Sequence, residues 1–229
     1  MIISNSKKYI FVHLKKCGGT SITHALEKEI TWKDIVVGRT EYGRNMKASW
    51  GKRWGVGTHS SAKTIASLVG QNIWSEYFTF AFVRHPFRRI LSWYSWTEKL
   101  VKELSWRRYA RHIHSRWDYD KWHWDTVQAY LNTKSFSEYI RHPAMANALS
   151  SETQARSLSD KGGNLMIDYY GKVENMKSDF ETICQRIGSS VRLPSKNTSK
   201  STNVEFSDDD ITYIQEKQTA DYNLFNYII

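Results

Sequence analysis

Apolar and polar positions along this chain fall into blocks that read as strands followed by helices. Residues 9–14 (YIFVHL) are a short apolar run with β-branched members, the pattern of a strand. Residues 15–20 (KKCGGT) interrupt it with two glycines. From Ser21 to about Glu29 the apolar residues return at helical spacing, with Ile22, Ala25 and Leu26 on one face. The same unit then recurs. Residues 77–83 (YFTFAFV) are rich in aromatic and β-branched residues and too apolar throughout for an edge, so they read as a buried parallel strand. Pro86 fits the first turn of a helix, and residues 87 to roughly 102 carry Ile90, Leu91, Tyr94 and Leu100 as an apolar side.

Elsewhere the pattern is weaker. Residues 31–57 mix Gly, Lys and Trp without a sustained period and predict loop, with a short strand at 35–37. A short helix follows at 61–69, and residues 99–125 predict helix plus irregular structure. A late strand is predicted at 165–170, a helix at 176–187 ending before Gly188, a loop over 188–203, and a final helix from 208–210 to about Tyr222. Strands alternating with helices predict an α/β fold, with three layers around a central, mostly parallel sheet. The 229 residues fit a single domain over 1–229.

Composition narrows the class. Hydrophobic residues make up 40% of the chain, so it is globular rather than disordered. Two cysteines, Cys17 and Cys184, are too few for a disulfide framework or a thiolate metal site, and they suit a reducing compartment. No segment approaches the roughly 20 apolar residues of a membrane span. Residues 1–8 are short and polar and lack the apolar core of a signal peptide. The expected location is the cytoplasm, or the Golgi lumen if the chain is a catalytic portion of a longer protein.

Charge adds a partner. Against 23 Asp and Glu stand 33 Lys and Arg, a net charge of +10. That excess suits an anionic partner: nucleotide, nucleic acid, acidic glycan or membrane surface. A solvated basic surface that only aids solubility is the plainer alternative.

Two stretches carry candidate chemistry. A glycine loop leading into a helix presents free backbone N–H groups and the positive end of the helix dipole to an anion. In residues 15–21, Gly18 and Gly19 permit a tight turn, Thr20 and Ser21 add hydroxyls, and Lys15 and Lys16 add charge. The order G-x-x-x-x-G-K-[ST] of an ATP-binding P-loop is absent, because here the lysines precede the glycines. An ordinary strand-to-helix turn beside a lysine remains open. The second stretch is residues 80–94 (FAFVRHPFRRILSWY). Arg84 stands at the carboxyl end of its strand, where ligands of open α/β sheets bind. Its guanidinium fork matches a phosphate, and Ser92 adds a hydroxyl two helical turns on. Arg88 and Arg89 are charges that solvate a helix in the plainer reading.

In these two stretches the chain resembles the sulfotransferases that use 3′-phosphoadenosine 5′-phosphosulfate (PAPS), in particular their carbohydrate (Golgi-type) branch and its bacterial relatives. The family's first motif typically reads FIHIPKTGGTS, and here residues 11–21 read FVHLKKCGGTS. Its second motif, F-x-F-V-R-[ND]-P-[YF]-x-R-x-x-S-x-Y, is matched by residues 80–94. Residues 167–175 (IDYYGKVEN), 193–199 (LPSKNTS) and 221–227 (DYNLFNY) are also similar, in the same order. The lysine of the first motif and the arginine of the second are 84 − 16 = 68 positions apart.

The resemblance implies a P-loop-NTPase-like sulfotransferase fold and in-line transfer of a sulfuryl group to a hydroxyl, leaving PAP. It implies that Lys16 contacts the phosphosulfate. The loop residues Lys15, Cys17, Gly18, Gly19, Thr20 and Ser21 would wrap the 5′-phosphate, and Arg84 with Ser92 would hold the 3′-phosphate. Asn197 and Ser199 would lie near the nucleotide. No metal is implied. Three departures stand out: Lys15 for proline, Cys17 for threonine and His85 for Asn or Asp. Cys17 loses a hydroxyl donor, for which a thiol is a weak substitute.

The acceptor must lose a proton. In residues 57–62 (GTHSSA), His59 occupies the place where some family members carry a histidine base, a helix-capping or structural histidine being the alternative; Glu76 is the fallback base. His13 is expected to be structural. Residues 93–125 combine six tryptophans with Lys99, Lys102, Arg107, Arg108, Arg111, Arg116 and Lys121. Flat aromatic faces suit sugar rings and the basic residues suit an acidic one, so the expected acceptor is a glycan, read against the alternative of core tryptophans and solvated charges. Two other classes compete. A P-loop kinase or NTPase needs a GK[ST] loop and a magnesium-holding aspartate. A nucleic-acid binder needs a recognised binding motif, and none is present.

Overall fold

The structure is a computed structural model that describes residues 1–38, 40–109, 120–194 and 204–228; for residues 47–49, 52 and 107–109 it describes the backbone alone. The chain divides into two compact units, the first from Met1–His85 and Gln154–Thr198, the second from Pro86–Thr153 and Ser199–Ile229.

The first unit is built on a five-stranded sheet: β1 (Ile2–Ser4), β2 (Tyr9–Val12), β3 (Ile35–Val36), β4 (Phe78–Val83) and β5 (Tyr169–Lys172). The spatial order is β3-β1-β2-β4-β5. β1 is antiparallel to both its neighbours, while β2, β4 and β5 are parallel, so four of the five strands point the same way. Flanking helices are α1 (Gly19–Leu26), α2 (Glu41–Trp54), α3 (Ala62–Val69), α4 (Gln71–Glu76), α9 (Gln154–Leu158) and α10 (Met176–Arg186), numbered in chain order with those of the second unit. The predicted α/β class with a mostly parallel sheet is what the chain adopts.

Side chains alternate across a strand. Tyr9 and Phe11 of β2 and Phe80 and Phe82 of β4 therefore share one face. There they pack with Ile22 and Leu26 of α1 and Phe180, Ile183 and Cys184 of α10. Ile10, Val12, Ala81 and Val83 face the other way and are buried too. Burial on both faces is why these strands read as unbroken apolar runs. Full burial of one such phenylalanine stabilises the unit by about 1.5–3 kcal/mol.

Several expectations need correction. Residues 1–8 are not a polar lead-in: Met1, Ile2 and Ile3 are buried, with Ile2 opposite Phe11 and Val36. The segment read as loop contains α2, whose first turn is closed by the Thr40 hydroxyl accepting the Gly43 N–H. The late strand begins at Tyr169 because Asp168 is held at the start of β4: its carboxylate accepts from the N–H and hydroxyl of Thr79. Gly171 sits within β5 because the Phe82 ring occupies the space a Cβ would need, 2.7 Å away.

Asp34 fastens the antiparallel side. It is buried, and its carboxylate accepts from the N–H groups of Ser6 and Thr31 and from the hydroxyls of Ser4, Ser6 and Thr31. Burial alone would raise its pKa, but these donors outweigh it and hold the group below the usual carboxylate range.

The second unit is helical. It comprises α5 (Pro86–Tyr109), α6 (Asp125–Leu131), α7 (Phe136–Arg141), α8 (Pro143–Ser151), α11 (Asp208–Lys217) and α12 (Thr219–Leu224). Phe87, Ile90 and Trp93 of α5 form its core with Phe136, Tyr139, Ile140, Met145, Leu149 and Ile214. Arg89 does not solvate the helix. It is buried and donates to the Glu152 carbonyl and the Gln218 side chain at 2.7 and 3.0 Å. Gln218 also explains why the final helix is two: its side chain turns inward to Arg89 and the Leu149 carbonyl, and the chain bends there. Ser207 and Asp210 close the start of α11 with a capping box.

Candidate active site

β2, β4 and β5 are parallel and in register, with Val12 beside Ala81 and Val83 beside Lys172. The segments that leave them, residues 13–18, 84–85 and 173–175, therefore emerge at one edge of the sheet. That carboxyl edge is where open α/β sheets hold ligands.

The loop after β2 is shaped by two left-handed residues, Lys16 at φ 65° and Gly18 at φ 70°. Lysine in this region carries a conformational cost, so the neighbouring contacts must hold it. Gly18 is the N-cap of α1 and supplies no side chain to the cap; the first turn contains no acidic residue. The helix thus starts with the positive end of its dipole and no side-chain cap, an arrangement that suits an anion. The glycines have a packing reason as well. A Cβ on Gly19 would lie 2.1 Å from the His13 ring, and one on Gly18 would lie 2.5 Å from Met176. Thr20 and Ser21 are half-buried in the first turn, as are Lys15 and Lys16 before it.

Arg84 follows the last residue of β4, and its Nη1 donates to the Lys16 carbonyl at 3.4 Å. The lysine of one motif and the arginine of the other, 68 positions apart, therefore meet at the same edge. His85 is tied to the loop after β5, its N–H donating to the Glu174 carboxylate at 2.9 Å. Cys17 turns inward. It is buried, and its thiol donates to the Lys15 carbonyl and to Gln154 Oε1. Where the family pattern has a threonine, this side chain braces the loop from behind.

His59 lies in the turn before α3 and is exposed. Its Nδ1 is 2.9 Å from the His13 carbonyl, which can only accept, so Nδ1 carries the proton in that bond. The two imidazoles meet edge to face at 4.8 Å. His13 is itself buried against Phe11. It connects the candidate base to the glycine loop, since the same ring fills the space beside Gly19. Glu76 lies elsewhere. It closes α4 and pairs with Lys8 at 2.6 Å, at the amino end of β2. The four residues of β2 separate it from the loop by roughly 13 Å.

Ser92 is half-buried on α5, in the second unit. Asn197 and Ser199 fall outside the described residues, as do Arg111, Arg116 and Trp117 of the aromatic and basic segment. Within that segment Trp93 is core, Trp96 stacks on Trp124 at 6.2 Å, and Trp106 is 64% exposed. Lys102 is paired with Glu98. Sequence reasoning overlooked Gln154, Glu174 and the link through His13. Glu174 lay within a matched stretch, whereas Gln154 had no local signal.

Among the described residues no group of three or more His, Cys, Asp or Glu side chains is placed to hold a metal ion. Among them, too, no helix is long and apolar enough to cross a membrane. A sequence model described as the Sulfotransferase family matches residues 1–228. Comparison with curated proteins finds no match.

Proposed function

The chain belongs to the sulfotransferase family, and on that premise we propose that it transfers a sulfuryl group from PAPS to a hydroxyl of a carbohydrate acceptor. The observation that carries the donor assignment is the meeting of the Lys16 loop with Arg84 at the carboxyl edge of adjacent parallel strands. An uncapped helix start and two lysines suit the 5′-phosphosulfate. A guanidinium held beside that loop suits a second phosphate, the 3′-phosphate that separates PAPS from ordinary nucleotides.

In the step itself the acceptor oxygen forms a bond to sulfur while the bond from sulfur to the phosphate oxygen breaks. PAP leaves, and the acceptor proton passes to the base. Lys16 and the α1 N–H groups stabilise the charge gathering on the leaving phosphate, so positioning and electrostatics do most of the work. His59 is the base: the His13 carbonyl accepts the Nδ1–H, which assigns the accepting role to Nε2. Glu76, paired with Lys8 at the other end of β2, is not suited to the task.

A carbohydrate acceptor is supported by the stacked Trp96 and Trp124 rings and the exposed Trp106, with Lys99 and Lys121 nearby in sequence. The test is transfer of label from sulfur-labelled PAPS to a panel of neutral and acidic oligosaccharides, phenols and peptides. Labelled saccharide is the expected product. Label appearing only on phenols or peptides removes the carbohydrate assignment.

A further inference from the structure

Gln154, the first residue of α9, is fully buried and belongs to neither motif. Its Oε1 accepts the Arg84 N–H at 2.8 Å and the Cys17 thiol at 3.1 Å, and its Nε2 donates to the Arg84 carbonyl at 2.9 Å. The orientation of the amide is dictated by these partners, because two donors face the oxygen and one carbonyl faces the nitrogen. Arg84 stands just beyond β4 and just before α5, where its backbone N–H and carbonyl both need partners. Gln154 supplies both. The ring of contacts then closes, because the Arg84 guanidinium returns to the Lys16 carbonyl, one residue from Cys17.

We propose that Gln154 is a positioning residue that fixes the separation between the glycine loop and Arg84, and thereby the enzyme's preference for a nucleotide phosphorylated at both its 3′ and 5′ positions. The proposal rests on the assignment of Arg84 to the 3′-phosphate. A buried amide bonded to the backbone on both sides of an arginine's Cα sets where that guanidinium starts from. The thiol contact sets the loop against the same oxygen. A donor with two phosphates must satisfy both anchors at once, whereas a 5′-monophosphate needs only the loop.

The experiment is calorimetric titration of PAP and of AMP into the wild-type chain, Gln154→Leu and Gln154→Glu, with the folded fraction of each checked by circular dichroism. Gln154→Leu keeps the volume and removes these three hydrogen bonds. The ratio of PAP to AMP affinity is expected to fall about tenfold, chiefly through weaker PAP binding. A residue that only stabilised the fold would lower the amount of binding-competent protein and leave that ratio unchanged, so an unchanged ratio in folded Gln154→Leu overturns the proposal. Should the leucine variant fail to fold, Gln154→Glu carries the test. It keeps an acceptor for the Arg84 N–H and the thiol but turns an oxygen toward the Arg84 carbonyl, and its ratio is expected to fall about threefold; an unchanged ratio there overturns the proposal equally. A wild-type chain that binds PAP no better than AMP refutes the assignment of Arg84 itself.

Discussion

Replacing Gly19 by alanine sets helix propensity against packing. Alanine at a helical position is ordinarily favoured over glycine by about 0.8–1 kcal/mol. Here the new methyl would lie 2.1 and 2.2 Å from His13 Cδ2 and Nε2, far inside contact distance. The His13 ring has little room to yield, being stacked on Phe11 at 5.6 Å and against His59 at 4.8 Å. Overpacking costs about 1–3 kcal/mol, and a methyl this far inside contact distance belongs in the upper part of that range, about 2–3 kcal/mol, so the clash wins and Gly19→Ala is expected to be destabilised by about 1–2 kcal/mol net. Displacing His13 also moves the carbonyl that fixes His59, so turnover should fall as well. The assay is urea unfolding of Gly19→Ala, His13→Ala and the double variant. Once the ring is gone the methyl has space, so adding Gly19→Ala to His13→Ala should cost nothing or stabilise slightly. The coupling between the two sites should then be about 1–3 kcal/mol. Additive penalties, or a Gly19→Ala chain as stable as wild type, would refute the packing account of this glycine.

Other outcomes follow from the same contacts. His59→Ala should abolish transfer while PAP still binds, which turnover and titration measured together will show; near-normal turnover removes His59 as the base. Lys16→Ala should slow transfer strongly, and Arg84→Ala should weaken PAP far more than AMP, as titration would reveal. Asp34→Ala strands two backbone N–H groups and three hydroxyls and should cost about 2–3 kcal/mol in urea unfolding. Asp34 and Asp210 both titrate below the unfolded value of 3.8. For each, desolvation pulls upward and is outweighed, at Asp34 by the Ser6 and Thr31 donors and at Asp210 chiefly by Arg141. Their contribution is therefore complete above pH 3.8 and is lost as pH falls through the lower folded values. Acid titration of stability should show that loss, and Asp34→Asn should flatten it.

Particular residues show how much of this was legible beforehand. The two strand–turn–helix units could be read because β2 and β4 are buried on both faces, and because glycine and proline mark where the strands end. The first and second motifs stand out through residue types that suit an anion. Helix α2 could not be read, since Gly43 and Gly51 interrupt it. Gly43 is required by a close approach, a Cβ there lying 2.9 Å from the Gly38 nitrogen. Strand β1 has three residues and gains its identity only by pairing with β2 and β3. Gln154 was invisible for a similar reason. It is one glutamine whose partners lie 70 and 137 positions away, and no local pattern records a contact of that span.

The glycine loop and Arg84 are proposed together to bind a nucleotide bearing 3′ and 5′ phosphates. Thermal unfolding in the presence of PAP, AMP or ATP with magnesium tests it most directly. A ligand at one hundred times its dissociation constant stabilises a protein by about 2.7 kcal/mol. For a chain of this length that raises the midpoint by roughly 5–10 °C. A shift of that size is expected with PAP and a much smaller one with AMP at the same concentration. No shift with PAP, or a larger one with ATP and magnesium, would contradict it.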